Sequence, residues 1–489
     1  MTDHRWYWAA LLTCWLQTGW TTSATAGETT MPTLELQAKE RQKTLTDHGV
    51  TGVQWLDATA FGPAGVERWK LANGLQILLA PDPASPVVAV HTWVRVGSAD
   101  ETPGKTGLAH LLEHTMFKST TTRPAGTFDR ALEQHGASAN AATWFDWTMY
   151  HEVVPPSQVG MVFELEADRL QHLDLSAQAV RSELEVVRNE RREEIDDDPD
   201  SLVVETLWNA AFGKEVYGHP VIGTAVDLAG LQVGDVVEFY RTRYVPENTA
   251  IVVTGGFDPT AVLGEAVKWY GAVPARTGPK RLDKPSNSKP LATCTLTIDA
   301  GSSRLAVAWR TVPLGHADHP ALALLAEVLA SSDSTRLYRQ LVEQSRVASS
   351  VSASQSDLRL GGLFEIYTTL RPGKTAADAE TLLLTVLADL LGAHPVTQTE
   401  LDAARNRLKT QQLRELASAD GRADVLGRTW ASDLDLGLHQ RWWLAIDQAT
   451  PADLQNAAIK WLKNEGRTVL RADPPAQTSL SRRKKGRAG

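Results

Sequence analysis

His110 and His114 stand four residues apart in the run TGLAHLLEHTMFKS, with Glu113 between them. Positions four apart on a helix lie one turn from each other, so the two imidazoles can aim at a common point. That arrangement supplies two teeth of a metal clamp, and Glu113 is placed to reach a water beside the metal without ligating it. The ordinary alternative is a partly buried His pair, and the pentad alone does not separate the two. A zinc ion that does chemistry takes three protein ligands and keeps one position open. A third donor must therefore come from elsewhere in the chain.

The run SELEVVRNERREEI, residues 182 to 195, reads as a helix with Val180, Leu184 and Val187 forming a narrow apolar stripe. Glu183 and Glu190 are seven apart and return to nearly the same face, beside that stripe, whereas Glu185 points roughly the opposite way. Either inward carboxylate could complete the clamp. The competing reading is a wet surface helix whose acids pair with Arg188, Arg191 and Arg192.

HLLEH followed by ELEVVRNE, with Glu190 lying 76 residues after His114, resembles the pitrilysin family of inverted zincin metallopeptidases. That family includes insulin-degrading enzyme and the mitochondrial processing peptidase. The resemblance implies one Zn2+ per chain held by His110, His114 and Glu190, with Glu113 as general base and Glu183 supporting the site. Zinc over manganese or cobalt follows from donor type and from the resemblance. It also implies an α+β fold of the bacterial two-domain type: two tandem related domains, each a mostly antiparallel sheet packed against helices, forming half of a clamshell.

The segment GASANAATWFDWTMYHEVVP, residues 136 to 155, alternates as one or two strands. Its small residues leave main-chain groups approachable, so an extended peptide could add there as a further strand. Small residues also fit simply beneath a neighbouring helix. The run resembles the family's substrate-edge strand, with Thr143 matching the pattern, which implies Ala139, Asn140 and Ala141 as substrate-binding residues.

One family element is missing. An Arg and a Tyr seven apart, expected after the helix at Ser334 to Tyr338, would hold the substrate carbonyl, but Val342 and Ser349 stand in those places. Losing one such donor typically costs about 10²–10³ in rate. A second, homologous subunit supplying the Arg/Tyr pair in a heterodimer is the expectation, with Arg346 as a local substitute the competing one. The expected function is an exported zinc endopeptidase acting on oligopeptides or unfolded segments. The alternative is a zinc-containing binding or assembly subunit without turnover.

Around these residues, 489 positions are too many for one compact core. Residues 1–26 read as a signal peptide: a short start with Arg5, an apolar stretch from Trp6 to about Trp20, and cleavage after Ala26. That stretch is shorter than the ~20 residues of a membrane span, so a periplasmic or secreted chain with no stable span is expected. Cys294 is then the only thiol, and no internal disulfide can form. Residues 27–65 read as an arm, 66–275 as the zinc-binding domain, 276–291 as a Pro- and Lys-rich linker, 292–473 as a related domain without the motif, and 474–489 as a basic tail. Asn73-Gly74 marks a hairpin. A net charge of −9, with no contiguous basic face, argues against nucleic acid. His91 reads as a structural strand residue and His219 as a turn residue without chemistry, and Asp196 to Asp200 reads as a solvated junction.

Overall fold

A computed structural model describes residues 31–62, 65–282 and 290–475. The expected signal peptide, most of the basic tail and the middle of the linker lie outside them. The first half forms a seven-stranded sheet from β1 (Val53–Thr59), β2 (Val66–Leu71), β3 (Gln76–Pro81), β4 (Val88–Val94), β5 (Ser138–Thr143), β6 (Thr148–Val154) and β7 (Thr249–Gly255). Their order is β1-β2-β3-β7-β4-β6-β5. Only the β3–β7 pairing is parallel. Asn73 and Gly74 make the turn between β2 and β3, where Gly74 has φ +100° and its N–H bonds Leu71 at 2.9 Å.

The second half forms a five-stranded sheet from β8 (Thr293–Thr297), β9 (Arg304–Thr311), β10 (Ala348–Gln355), β11 (Gly362–Leu370) and β12 (Arg467–Asp473), in the order β10-β11-β9-β12-β8. Read from its parallel edge, β8-β12-β9-β11-β10 matches β3-β7-β4-β6-β5 strand for strand. The single parallel pair, β8–β12, falls in the same place as β3–β7. The two halves are therefore one topology repeated, with β1 and β2 added to the first.

The described part of the expected arm, 31–62, adds a strand to the first sheet that the sequence reading did not include. Its helix Met31–Asp47 leads into β1, which pairs with β2 from Val53↔Leu71 to Thr59↔Val66. An edge strand buries little, and only Val53 of β1 is fully buried, so its alternation is too weak to stand out.

Each half lends a helix to the other. Pro199–Phe212 lays Val203, Leu207, Trp208 and Ala211 against Ala306, Ala308, Leu363 and Leu470 of the second sheet. Ala419–Ala431 in turn lays Ala423, Leu426 and Trp430 against Ala89, Trp93 and Met149 of the first. Gly427 makes the second contact possible, because a Cβ there would sit 2.0 Å from the Trp93 ring. The opposite face of the first sheet packs Val88, Val90 and Val94 beneath Leu108, Leu111 and Leu112 of the helix that carries the HLLEH motif.

Candidate active site

The motif helix spans Leu108–Met116 and buries Leu108, Ala109, Leu111, Leu112, Thr115 and Met116. This leaves His110, Glu113 and His114 on its remaining face. Gly107 starts the helix at φ +92°, where a Cβ would lie 2.6 Å from the Ile222 carbonyl oxygen. The amides of Gly107 and Ala109 donate to the buried Glu101 carboxylate at 2.9 and 2.8 Å, satisfying donors that a helix start leaves free. His219 lies 3.3 Å from the same carboxylate. The turn histidine thus belongs to the mount of the helix. Nothing local in the sequence singles out Glu101, whose role depends on a chain reversal that brings it back to the helix start.

Glu190 arrives from the helix Ala177–Arg191, which buries Val180, Leu184 and Val187, the expected stripe. Its Oε2 is 3.1 Å from His110 Nε2 and 3.1 Å from His114 Nε2. The two imidazoles lie 4.7 Å apart, ring centre to ring centre, at 70°. Ligands of a tetrahedral zinc at ~2.0–2.2 Å lie roughly 3.3–3.5 Å from one another, so the two carboxylate–imidazole separations need open by only a few tenths of an ångström. Two imidazole nitrogens and one carboxylate oxygen are also the chemistry zinc accepts, and the site fits the ion. His110, His114, Glu190 and Glu113 are between 12% and 17% exposed, reachable by water yet largely desolvated.

Glu113 lies beside the three donors, its Oε2 3.5 Å from His110 Nδ1 and accepting a 2.5 Å hydrogen bond from Thr143 Oγ1 at the end of β5. Burial pushes the Glu113 carboxyl up, but the His110 and Thr143 contacts outweigh it and hold the pKa below the usual range. Glu190 is treated the same way, burial being overcome by both imidazoles, and is held well below the carboxylate range. Burial opposes a charge on His110, yet Glu113 and Glu190 raise its pKa to about 10.

Glu183 faces inward, as the sequence reading expected, but outside the ligand cluster. It is buried and ion-paired at 3.2 Å with Lys118, just beyond the motif helix, and none of its hydrogen-bond or ion-pair partners is His110, His114 or Glu190. Seven residues along a helix is about 10.5 Å of rise, which explains why a shared face does not bring both glutamates to one point. Any support from Glu183 is indirect, through the segment that follows the helix.

Ala139, Asn140 and Ala141 lie on β5, the edge strand of the sheet. The Ala141 amide donates to the side chain of Asn140 at 2.9 Å, so an edge N–H that could receive a peptide carbonyl is held by a local stand-in. Ala141 packs in the core beneath the motif helix, consistent with its small size. In the second half, Val342 is buried, and Ser349 is exposed on β10 and donates to the Thr369 carbonyl. Arg346 is exposed at φ +53°, and among the described residues no hydrogen bond or ion pair joins it to the His–Glu cluster. The acidic junction is used locally: Asp198 caps the next helix and Asp200 pairs with Arg304. No described helix is long and apolar enough to cross a membrane.

A duplicated α+β chain with His-x-x-Glu-His on one helix and its third donor on another has the architecture of the two-domain inverted zincin metallopeptidases. The chain belongs to peptidase family M16, the pitrilysin family. Residues 76–225 match the model described as insulinase, peptidase family M16. Residues 230–408, which run from the end of the first half into the second, match the one described as the peptidase M16 inactive domain. The chain is 27% identical over 418 residues to the zinc protease PqqE of Helicobacter pylori, covering 83% of this chain and 93% of that one. It is 26% identical over 391 residues to the uncharacterized zinc protease YmxG of Bacillus subtilis, covering 80% and 93%. A solved protease from Helicobacter pylori superimposes with a TM-score of 0.80 at 25% identity, covering 84% of this chain and 99% of that one.

Proposed function

We propose that this chain is an exported zinc-dependent endopeptidase that cleaves oligopeptides or unfolded segments, as the catalytic subunit of a heterodimer. The observation that carries the reading is the convergence of His110, His114 and Glu190 with an ionised Glu113 beside them. Zinc held by those three residues supplies Lewis acidity toward a water and the scissile carbonyl. The Glu113 carboxylate takes the proton of the attacking water and delivers it to the leaving amine nitrogen. Thr143 fixes the Glu113 oxygen and joins it to the end of β5, so a peptide extended along that edge runs past the base. Main-chain pairing at Ala139 to Ala141 asks for extended backbone and little for side-chain identity, which suits unfolded substrates. Export rests on the N-terminal apolar stretch, and the heterodimer on Val342 and Ser349 replacing a carbonyl-holding pair.

A zinc-containing assembly subunit without turnover is the second reading, favoured by the same two residues. The test is hydrolysis of an unstructured fluorogenic peptide by the chain alone and with a homologous M16 protein from the same source. Chelation should abolish cleavage and zinc should restore it. A strong gain on adding the partner is expected, and full activity of the chain alone would remove the heterodimer. Absence of cleavage under both conditions would favour the assembly role.

A further inference from the structure

The first sheet carries a second cluster of two histidines and one carboxylate on its other face. His91 on β4 and His151 on β6 are register partners on adjacent antiparallel strands, so their side chains leave the same face side by side. Asp420 reaches them from the crossing helix Ala419–Ala431 of the second half. Its Oδ1 is 2.9 Å from His91 Nε2 and 2.9 Å from His151 Nδ1. The two rings are 5.2 Å apart at 70°. Their mutual angle is the one found between His110 and His114.

We propose that His91, His151 and Asp420 form a second divalent-cation site of the zinc class, which ties the crossing helix of the second half to the sheet of the first. Two imidazole nitrogens aimed at one carboxylate oxygen repeat the donor types of the active site, and each carboxylate–imidazole separation again needs to open by only a few tenths of an ångström for an ion bound at ~2.0–2.2 Å. His91 is fully buried and its Nδ1 has no partner, so the ring interacts with polar groups only through Nε2, toward Asp420. Trp93 stacks beside it at 6.4 Å, giving the site an apolar wall. Asp420 occupies the first turn of its helix, where the ionised form is favoured, and its side chain is 42% exposed, which leaves an entry path and room for water as a fourth ligand.

The position has a consequence for the peptide edge. His151 is in register with Asn140 on β5, so the cation would sit one strand behind the proposed substrate strand and hold β6 in place. This inference is independent of the proposed proteolysis, since it uses none of the same residues.

The experiment is zinc stoichiometry on the full chain, stripped with chelator, reloaded with zinc and dialysed. Two ions per chain are expected for wild type and one for His114→Ala. The double variants His114→Ala/His151→Ala and His114→Ala/Asp420→Asn should hold none. Zinc should raise the melting temperature of His114→Ala and not that of the Asp420→Asn double variant, a readout that does not depend on activity. Cobalt absorption on His114→Ala checks that the retained ion has imidazole ligands. One ion in wild type and none in His114→Ala overturns the second site and leaves the active site standing. One ion in wild type, kept by His114→Ala and lost with His151→Ala, upholds the second site and overturns the first.

Discussion

The two halves share five strands in one order, and they differ in what the helix after the equivalent strands β4 and β9 presents. In the first half that helix buries one side and turns His110, Glu113 and His114 toward Glu190. In the second half its counterpart, His319–Ala330, buries Leu322, Leu324, Leu325, Val328 and Leu329 and carries one histidine, bound to Asp357 at 2.9 Å and to Trp442. The backbone layout is common property. The clustered metal-ligand side chains and their neighbouring Glu113 come from one helix and one further helix, and the second half uses the same position for packing.

The sharpest way to break that contrast is to substitute a histidine in each half. His114→Ala should lose the active-site zinc and reduce peptide hydrolysis to background, with an unchanged circular dichroism spectrum. His319→Ala should leave that zinc in place and lower unfolding free energy by about 1–3 kcal/mol, through the lost part-buried contacts to Trp442 and Asp357 and the packing of the ring. Loss of active-site zinc from His319→Ala would break the division of labour.

Within the first half, Thr143→Val removes the donor that fixes Glu113. A hydrogen bond to a charged group contributes about 1.5–3 kcal/mol, so kcat should fall about 10- to 100-fold with KM little changed. An unchanged kcat would show that Glu113 is positioned without β5.

Between the halves, Gly427→Ala forces a methyl group into the Trp93 ring. Overpacking of this kind costs about 1–3 kcal/mol, read as a lower urea midpoint. The helix lent in the other direction contributes a pH effect. Trp208 donates to Glu365 at 3.0 Å, and burial pushes the Glu365 pKa up to about 7 against the hydrogen bonds from Tyr367, Ser354 and Trp208. The folded state therefore holds this proton more tightly than the unfolded chain, whose ordinary value is 4.5. Its contribution to stability is complete below about 4.5 and is lost as pH rises to about 7. Glu365→Gln should remove that slope and stabilise the protein above pH 7 by roughly 1–3 kcal/mol. A slope that persists in the variant would assign the effect to another group.

Much of the site was legible because its signal is local. His110, Glu113 and His114 fall within five residues, and Glu190 sits beside an apolar stripe that fixes its helix face. Family resemblance then chose Glu190 over Glu183, a choice the helical rise explains, since the two cannot reach one point. The duplicated fold was implied by the family resemblance, whereas the exchange of helices between halves was not. It depends on Trp93, Trp208 and Trp430, which carry no period or motif to announce a partner hundreds of residues away. β1 was missed because an edge strand buries too little to alternate, and Glu101 because a buried cap is defined by chain reversal. His91 looked like an isolated strand histidine for the same reason: His151 and Asp420 join it only through sheet register and a helix from the other half.

The central claim, that Glu113 works as the base beside a cation held by His110, His114 and Glu190, is tested most directly by Glu113→Gln. Zinc content and hydrolysis of an unstructured peptide are measured on the same preparation, with the homologous partner present. Wild-type zinc is expected, with cleavage slower by about 10²–10⁴. Wild-type zinc with undiminished cleavage would contradict the claim.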